Sequence, residues 1–275
     1  MKAFEDLRRA RRRARLPLPR TLELLYPLAV VIAGLVSWQL WVSLGDVPQY
    51  LFPSISQVAD KLVHSGELRH ASWDTISLVL YGFALAVGLG VTLAGLTVSL
   101  RPFEIGVYPI LISTQFVPLI ALAPLFIVWF GFGKTPQLLI ICLFGYFSIF
   151  ISTLTGLRAI QVERLYLARA MGAGRLNTFL KIRLPGALPQ VFAGLKIGIT
   201  SAVIGAVVAE FTVGSQGVGE VILRAVGFGD SVTLIAGVVY LGVIGALGFA
   251  AVSLLERIAI PWHSARRAGT SASTG

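Results

Sequence analysis

The stretch RAMGAGRLNTFLKIRLPGALP, Arg169–Pro189, interrupts a chain that is otherwise strongly apolar. It contains four basic residues, no acidic residue, three glycines and two prolines. Over all 275 residues, 56% are hydrophobic and only 13% are charged, whereas about 25% of a soluble domain is charged. The stretch therefore divides a protein of membrane-like composition, and the apolar segments on either side of it decide the fold.

Six segments are apolar enough and long enough to cross a bilayer as helices, which takes about 20 residues each. They lie at roughly 22–44, 75–100, 105–130, 137–157, 190–213 and 232–255. Backbone polar groups in lipid must be satisfied internally, so such segments form helices. The first segment is too long for a signal peptide and is expected to be a true span. We therefore predict an all-α membrane protein with six transmembrane helices.

The basic residues are distributed unevenly among the segments that join these spans. Nineteen of the 23 Lys and Arg residues fall in the N-terminal arm, the turn after the second span, the region 158–196 and the tail. Positively charged segments stay in the cytoplasm. We expect a basic cytoplasmic arm at 1–21, a six-helix domain at 22–257 and a cytoplasmic tail at 258–275.

The net charge of +10 does not by itself indicate nucleic acid. The basic arm lacks interleaved aromatic residues, and a basic flank of a membrane span is a topology signal that is attracted to anionic lipid. We therefore expect membrane lipid, and no nucleic acid, as a partner.

The sequence contains no pattern typical of a catalytic or metal centre. Cys142 is the single cysteine, and the three histidines lie outside the predicted spans. Gly133-Lys134-Thr135 ends like a phosphate-binding loop, but Val128 stands where that motif needs its first glycine. We expect no enzyme activity, no metal site and no cofactor bound by this chain.

The interrupting stretch predicts two short amphipathic helices that meet at a bend. Residues 163–171 and 175–184 carry apolar side chains at helical spacing, and Gly172 and Gly174 lie between them. Pro185 is expected to end the second helix, and Pro189 to open the next span. Such helices either rest on lipid or the chain's own bundle, or dock into a groove of a soluble partner. The composition and spacing of residues 163–184 fit both alternatives.

The same part of the chain resembles a segment of a known protein family. The sequence GAGRLNTFLKIRLPGALPQVFAGLKIGI (172–199) resembles the cytoplasmic signature loop of permease subunits of bacterial ABC importers. In that family a glycine is followed, after nine residues, by Ile-x-Leu-Pro, which Gly172, Ile182, Leu184 and Pro185 match. The usual Glu-Ala-Ala opening departs at two of three positions, since Tyr166-Leu167-Ala168 stands there.

Three further segments are similar to importers for sulfonates, taurine, nitrate and thiamine or flavin precursors. They are LFPSISQVADKLVHSGEL (51–68), ALAPLFIVWFGFGK (121–134) and AVVAEFTVGSQGVGEVI (206–222). The resemblance implies a multi-pass permease of the bacterial plasma (inner) membrane with both termini cytoplasmic. It also implies a dimer of two permease copies, a cytoplasmic ABC ATPase dimer that uses ATP, and an extracytoplasmic solute-binding protein. The implied solute is small and anionic or heterocyclic.

The resemblance also implies which residues couple the permease to the ATPase. These are Ala168, Gly172, Ala173, Gly174, Phe179, Ile182, Leu184 and Pro185. The alternative function is a secondary transporter driven by an ion gradient, which predicts inverted repeats and ionisable groups in broken helices. No internal repeat is visible in the sequence.

Four residues within predicted spans are candidates for the translocation path: Gln115, Phe116, Pro118 and Glu210. Pro118 is expected to kink its helix and free a carbonyl that can line a pore, with ordinary helix packing as the alternative. Apart from Glu23 at the very start of the first span, Glu210 is the single acid inside a predicted span. It is therefore either a path or gate residue or an interfacial, paired acid. The span glycines are expected to allow close helix approach. They are Gly82, Gly88, Gly90, Gly95, Gly194, Gly198 and Gly205.

Overall fold

The computed structural model describes residues 20–45, 48 and 51–261, and this part of the chain is helical, without strands. Eleven α-helices are found there. They are α1 (Arg20–Leu44), α2 (Ile55–His64), α3 (Gly66–Ser99), α4 (Tyr108–Ser113), α5 (Ala123–Phe130), α6 (Lys134–Arg158), α7 (Val162–Ala170), α8 (Arg175–Thr178), α9 (Leu184–Val213), α10 (Val218–Phe228) and α11 (Ser231–Ala259). Almost all of the predicted basic arm and most of the tail lie outside the described residues.

The predicted all-α membrane fold is confirmed. Five described helices are long and apolar enough to cross a bilayer, and a sixth span is obtained if one bent pair of helices counts as one. The five are α1 from Leu25, α3, α6, α11 and a helix that runs without interruption from Leu176 to Val213. The bent pair is the predicted third span.

Helix α3 begins at Gly66, nine residues before the predicted start of the second span. The hydroxyl of Ser65 caps it by accepting a hydrogen bond from the backbone N–H of Leu68. With 34 residues, α3 is about 51 Å long at 1.5 Å per residue, so it extends beyond the hydrocarbon layer. The first turns of α3 contain polar residues such as His70 and Asp74, so the continuous apolar segment begins only after them.

Two short helices, α2 and α10, were not predicted, although both carry sequence signals. Ser54 and Gln57 form a reciprocal capping box at the start of α2. Gly229 adopts a left-handed conformation at the end of α10, as a terminating glycine does. Both helices lie where α3 begins and α9 ends. We call this the far end of the bundle, and we call the end that carries residues 159–183 the loop end.

Close packing of α3, α6 and α9 forms the centre of the bundle. A Cβ atom on Gly194 would lie 2.7 Å from Ser152 Cβ, and one on Gly205 would lie 3.0 Å from Ile141 Cα. Both distances are shorter than van der Waals contact, so these helices approach at distances that only glycine allows. The predicted role in close approach is confirmed for five glycines: Gly82, Gly90, Gly194, Gly198 and Gly205.

The same prediction is wrong for the other two span glycines. Gly88 faces away from the bundle and has no atom within 4 Å of its would-be Cβ. Gly95 approaches only the ring of Phe179, at 3.9 Å. Helical position explains the difference, because Gly88 lies on the exposed face of α3, whereas Gly95 meets the helix Leu176–Val213 only at ordinary van der Waals distance.

Candidate functional site

The loop between α6 and α9 turns at Gly172. This glycine has φ +78°, a conformation that residues with a side chain rarely adopt. The backbone N–H of Ala173 donates to the carbonyl of Ala168 at 3.0 Å and closes the end of α7. The predicted bend is therefore confirmed at Gly172.

The second predicted loop helix does not end at Pro185, and that prediction is wrong. Helix α8, a π-helical turn (Phe179–Arg183) and α9 follow one another without a gap, and Pro185 lies in the first turn of α9. In the π turn the backbone N–H of Leu184 reaches back five residues to the carbonyl of Phe179. This widened turn accommodates a proline, which has no N–H to donate.

The residues expected to couple to an ATPase differ in exposure. Ala168 is buried, Gly172 and Gly174 are exposed, and the others are half-buried. The half-buried members are Ala173, Phe179, Ile182, Leu184 and Pro185. Phe179, for example, packs against the apolar cluster that α3, α6 and α9 form.

The exposed surface of the loop is formed by apolar side chains that the sequence reasoning did not select. We define the loop patch as Tyr166, Leu167, Met171 and Leu176, each between 63% and 78% exposed. Leu167 and Met171 are one helical turn apart, and the backbone N–H of Met171 donates to the carbonyl of Leu167. Exposed apolar groups beside a basic segment are typical of a docking surface.

The predicted third span is broken at Val117 and Pro118. Both residues have extended backbone, and the helical halves on either side meet at 95°. A proline disfavours the helical conformation of the residue before it, which explains why the break includes Val117. The predicted kink at Pro118 is confirmed, and it is a full break.

The side chains around the break point away from the chain's own helices. Gln115, Phe116 and Pro118 are exposed, and Phe116 reaches 81%. The half before the break is held to α6 by a 2.9 Å hydrogen bond between the hydroxyls of Thr114 and Tyr146. A carbonyl that lines a pore at this break stays a prediction.

Glu210 lies in a buried hydrogen-bond network at the far end. Its Oε1 accepts from the hydroxyl of Thr75 at 2.7 Å, and its Oε2 accepts from the backbone N–H of Gly219 at 2.6 Å. The Thr75 oxygen also accepts from the backbone N–H of Val218 at 2.9 Å. Glu210 and Thr75 thus satisfy two of the free N–H groups at the start of α10.

Small residues make this network possible. A Cβ on Gly219 would lie 2.6 Å from Glu210 Oε2, and one on Gly217 would overlap the same carboxylate. A carboxylate at a helix N-terminus is also favoured by the helix dipole. In the structure Glu210 is therefore a paired acid. A direct role in the translocation path stays a prediction.

A cavity of about 380 Å³, whose wall combines charged and polar residues with apolar ones, adjoins the network. Its wall includes Asp74, Lys134, Gln137 and Gln216 as well as Glu210. The Gln137 side chain spans from α6 to the end of α9, since its Nε2 donates to the carbonyl of Gly214 at 2.9 Å. The far end therefore contains acidic and basic side chains close together, and hydrogen bonds between helices hold this region in place.

An ion pair also lies between two of the spanning helices, so Glu210 is not the single acid in their interior. Lys196 on α9 forms an ion pair with Glu256 on α11. Both side chains are about four-fifths buried, and the Lys196 ammonium also lies 5.7 Å from the centre of the Phe249 ring. The predicted sixth span stopped at residue 255, one residue before Glu256.

Long apolar helices, a broken span and an intramembrane ion pair define a multi-pass α-helical membrane protein. Residues 86–260 match the family described as the binding-protein-dependent transport system inner membrane component. The chain belongs to this family, and it is a permease component of the ABC importer class.

Curated relatives are similar over most of their length. The formylaminopyrimidine transport permease ThiX of Halalkalibacterium halodurans is 32% identical, covering 89% of this chain and 98% of the relative. The riboflavin transport system permease RibX of Chloroflexus aurantiacus is 34% identical, covering 84% and 87%. The putative aliphatic sulfonates transport permease SsuC of Bacillus subtilis is 34% identical, covering 86% of each.

A solved structure has the same fold. A chain of the inward-facing MetNI methionine ABC transporter superposes with a TM-score of 0.62 at 20% identity. The match covers 70% of this chain and 95% of that chain. At this identity the similarity concerns the fold.

Proposed function

We propose that this chain forms the translocation path of an ATP-driven importer and couples that path to a cytoplasmic ATPase through residues 162–183. The observation that carries the proposal is the continuous helix from Leu176 to Val213. One end of this helix carries part of the exposed loop, and the other reaches the Glu210 network.

The loop patch supports docking of a protein partner rather than packing within the chain. Its four apolar side chains are exposed in a segment that also carries Lys181 and Arg183. A helix that presents apolar side chains one turn apart can be received by a groove of a soluble partner. A cytoplasmic ATPase dimer is the partner that this family uses in binding-protein-dependent transport.

Movement of the docked loop would be transmitted to the spans because α6 and α9 approach too closely to slide freely. Gly156 would clash with Gln190, and Gly198 would clash with Ile149, if either carried a side chain. The Arg158 guanidinium at the end of α6 donates to Glu104 at 2.7 Å and lies 5.3 Å from the Tyr108 ring. These two contacts join the broken span to α6, which is itself packed against α9.

A second copy of the chain would complete the path. Gln115, Phe116 and Pro118 project from the break into space that the chain's own helices leave open. Two copies that face each other across these residues would enclose a path that is lined by both. The net excess of basic residues near the loop supports an orientation with this end, and both termini, in the cytoplasm.

The names of the relatives favour a small anionic or heterocyclic solute. The relatives are described as permeases for formylaminopyrimidine, riboflavin, aliphatic sulfonates and taurine. An extracytoplasmic solute-binding protein would deliver the solute to the far end, where the cavity lined by Asp74 and Lys134 lies.

The test is uptake by proteoliposomes that contain the permease with its cognate ATPase and solute-binding protein. Gly172→Val and Leu176→Asp should abolish ATP-dependent uptake while membrane insertion is preserved. Gly88→Val is the matched control for Gly172→Val, since Gly88 lies on the exposed face of α3, away from both the loop end and the far end. Normal uptake by both loop variants would refute the coupling role, and uptake by the permease alone under an ion gradient would establish the secondary transporter instead.

A further inference from the structure

Two opposite charges line the far-end cavity, the space of about 380 Å³ beside Glu210, without pairing with each other. The carboxylate belongs to Asp74 on α3, and the ammonium belongs to Lys134 in the first turn of α6. In the part of the chain that the structure describes, neither group has a hydrogen-bond or ion-pair partner. Nearby, by contrast, Arg224 pairs with Glu67 at 2.9 Å. Both charged groups of the cavity are therefore free to bind a ligand.

Each charged residue lies beside a hydrogen bond to the end of α9. Thr75 directly follows the acidic residue, and its hydroxyl donates to Glu210 at 2.7 Å. Gln137 lies about one turn after the basic residue, and its Nε2 donates to the carbonyl of Gly214 at 2.9 Å. These bonds hold the parts of α3 and α6 that carry the charges at a fixed separation. A site that is formed before binding loses little entropy when a ligand enters.

The rest of the wall offers apolar contact and one more acceptor. Leu78 and Tyr81 of α3 and Leu138 of α6 line the cavity, so a hydrocarbon segment can pack there. Gln137, which also lines it, is 4% exposed, and its Oε1 accepts no hydrogen bond from any described residue. The volume lies at the lower end of the range of about 300–1,000 Å³ that ligand pockets have. The cavity therefore fits a small molecule with a short apolar middle.

A ligand with only one kind of charge fits this wall poorly. An anion that binds Lys134 also approaches Asp74, and a cation that binds Asp74 also approaches Lys134, so each is repelled by a like charge. A molecule with an anionic group at one end and an ammonium group at the other satisfies both residues. The start of α6 favours the anionic group beside Lys134, because no side chain caps this helix and its dipole is positive there.

We propose that the far-end cavity is a solute subsite for small zwitterions. The ammonium group of the solute binds the Asp74 carboxylate, its anionic group binds the Lys134 ammonium, and the hydrocarbon between them packs against Leu78 and Tyr81. This inference rests on the proposed function, since it takes the solute as the molecule that the importer carries. It adds a positively charged group to the anionic solute class.

The test measures binding to the purified full-length permease in nanodiscs, without the ATPase or the solute-binding protein. The probes are three zwitterions of increasing length, β-alanine, γ-aminobutyrate and 5-aminopentanoate, and two analogues of γ-aminobutyrate that keep one charge, butyrate and propylamine. Saturation-transfer NMR gives each dissociation constant. The zwitterion of best length should bind about 5- to 10-fold more tightly than either analogue, which lies between the effects of an exposed ion pair and of a charged hydrogen bond.

Asp74→Asn and Lys134→Met should each weaken binding of this zwitterion about 5- to 10-fold by removing one of the two charged contacts. Asp60→Asn and Arg69→Met are the controls, because they remove the same charges from exposed far-end residues that do not line the cavity. The double variant Asp74→Lys with Lys134→Glu exchanges the charges and should bind the zwitterion more tightly than either single variant does. A purely structural role of the two residues predicts no such gain. Monodisperse elution checks that each variant is folded.

Equal affinity of the wild type for all five probes would overturn the proposal, and so would unchanged zwitterion affinity in both single variants. The outcome is separate from that of the proposed function, because the binding assay contains no ATPase. Failure of ATP-dependent uptake would leave these affinities as they are. Intact ATP-dependent uptake together with no preference for a zwitterion would overturn the subsite alone.

Discussion

Thr75 and Glu210, which lie 135 positions apart in the chain, are joined by a 2.7 Å hydrogen bond in the buried interior. The pair connects α3 to α9 and holds the first turn of α10 through the N–H groups of Val218 and Gly219. The position of α10 over the far end therefore depends on contacts between three helices.

Replacing Glu210 by Ala should release α10. The Thr75 hydroxyl and the Gly219 N–H would lose their acceptor in a buried site, which costs about 1–3 kcal/mol for each group left unpaired. Maleimide modification of a cysteine introduced at Ala225, a buried position of α10, should become faster, and the Tm should fall. Glu220→Ala, on the outer side of α10, is the control and should leave both unchanged. An unchanged modification rate in Glu210→Ala would contradict this role.

Gly219→Ala should disturb the same network by a steric route. The added methyl would lie 2.6 Å from Glu210 Oε2, so the carboxylate must move and its hydrogen bonds weaken. Gly227→Ala in the same helix meets no atom within 4 Å and should be neutral or stabilise by up to about 1 kcal/mol through helix propensity. Thermal unfolding in detergent measures the difference, and equal Tm values for the two variants would refute the steric argument.

Gly198→Val should loosen the contact between α6 and α9. Its Cβ would lie 2.7 Å from Ile149 Cγ1 and 3.3 Å from the carbonyl of Gly145. Overpacking of this kind costs about 1–3 kcal/mol, and thermal unfolding should show it. Gly88→Val on the exposed face of α3 provides the control. A Gly198→Val protein as stable as the control would mean that α6 and α9 can separate easily.

The Lys196–Glu256 pair should behave as a coupled unit. Removing one partner leaves the other as a largely buried charge, whereas replacing both by apolar residues removes the desolvation cost as well. Lys196→Met and Glu256→Leu should therefore each lower the Tm more than the double variant does. A double variant whose loss equals the sum of the single losses would show that the two side chains are independent.

Asp230 should make the thermal stability of the protein depend on pH. Burial opposes its ionisation, but the hydrogen bonds from Thr233 and the charge of Lys61 outweigh this and lower its pKa below the usual 3.8. A group with a lowered pKa in the folded state stabilises above its usual pKa, and this contribution is lost as the pH falls below about 3.8. The difference in Tm between the wild type and Asp230→Asn should therefore shrink in acid, and a constant difference would contradict this pH dependence.

Asp230→Ala should lower the free energy of unfolding by about 1 kcal/mol at neutral pH through loss of the cap on α11.

Local patterns account for the parts of the fold that were predicted correctly. Apolar length defined the spans, Pro118 marked the break, and Gly172 marked the turn in the loop. The continuity of the helix through Pro185 was missed because a π turn depends on backbone bonds that residue preferences do not reveal. The early start of α3 was missed because a transmembrane helix can continue beyond the lipid as a polar helix.

The sequence by itself determined the membrane class, the approximate spans, the bend at Gly172 and the resemblance to an importer permease, since these follow from local composition and spacing. Only the tertiary structure decided that Glu210 caps a distant helix and that Lys196 meets Glu256. Each of these depends on which helix faces come together, and residues far apart in the chain determine that through packing.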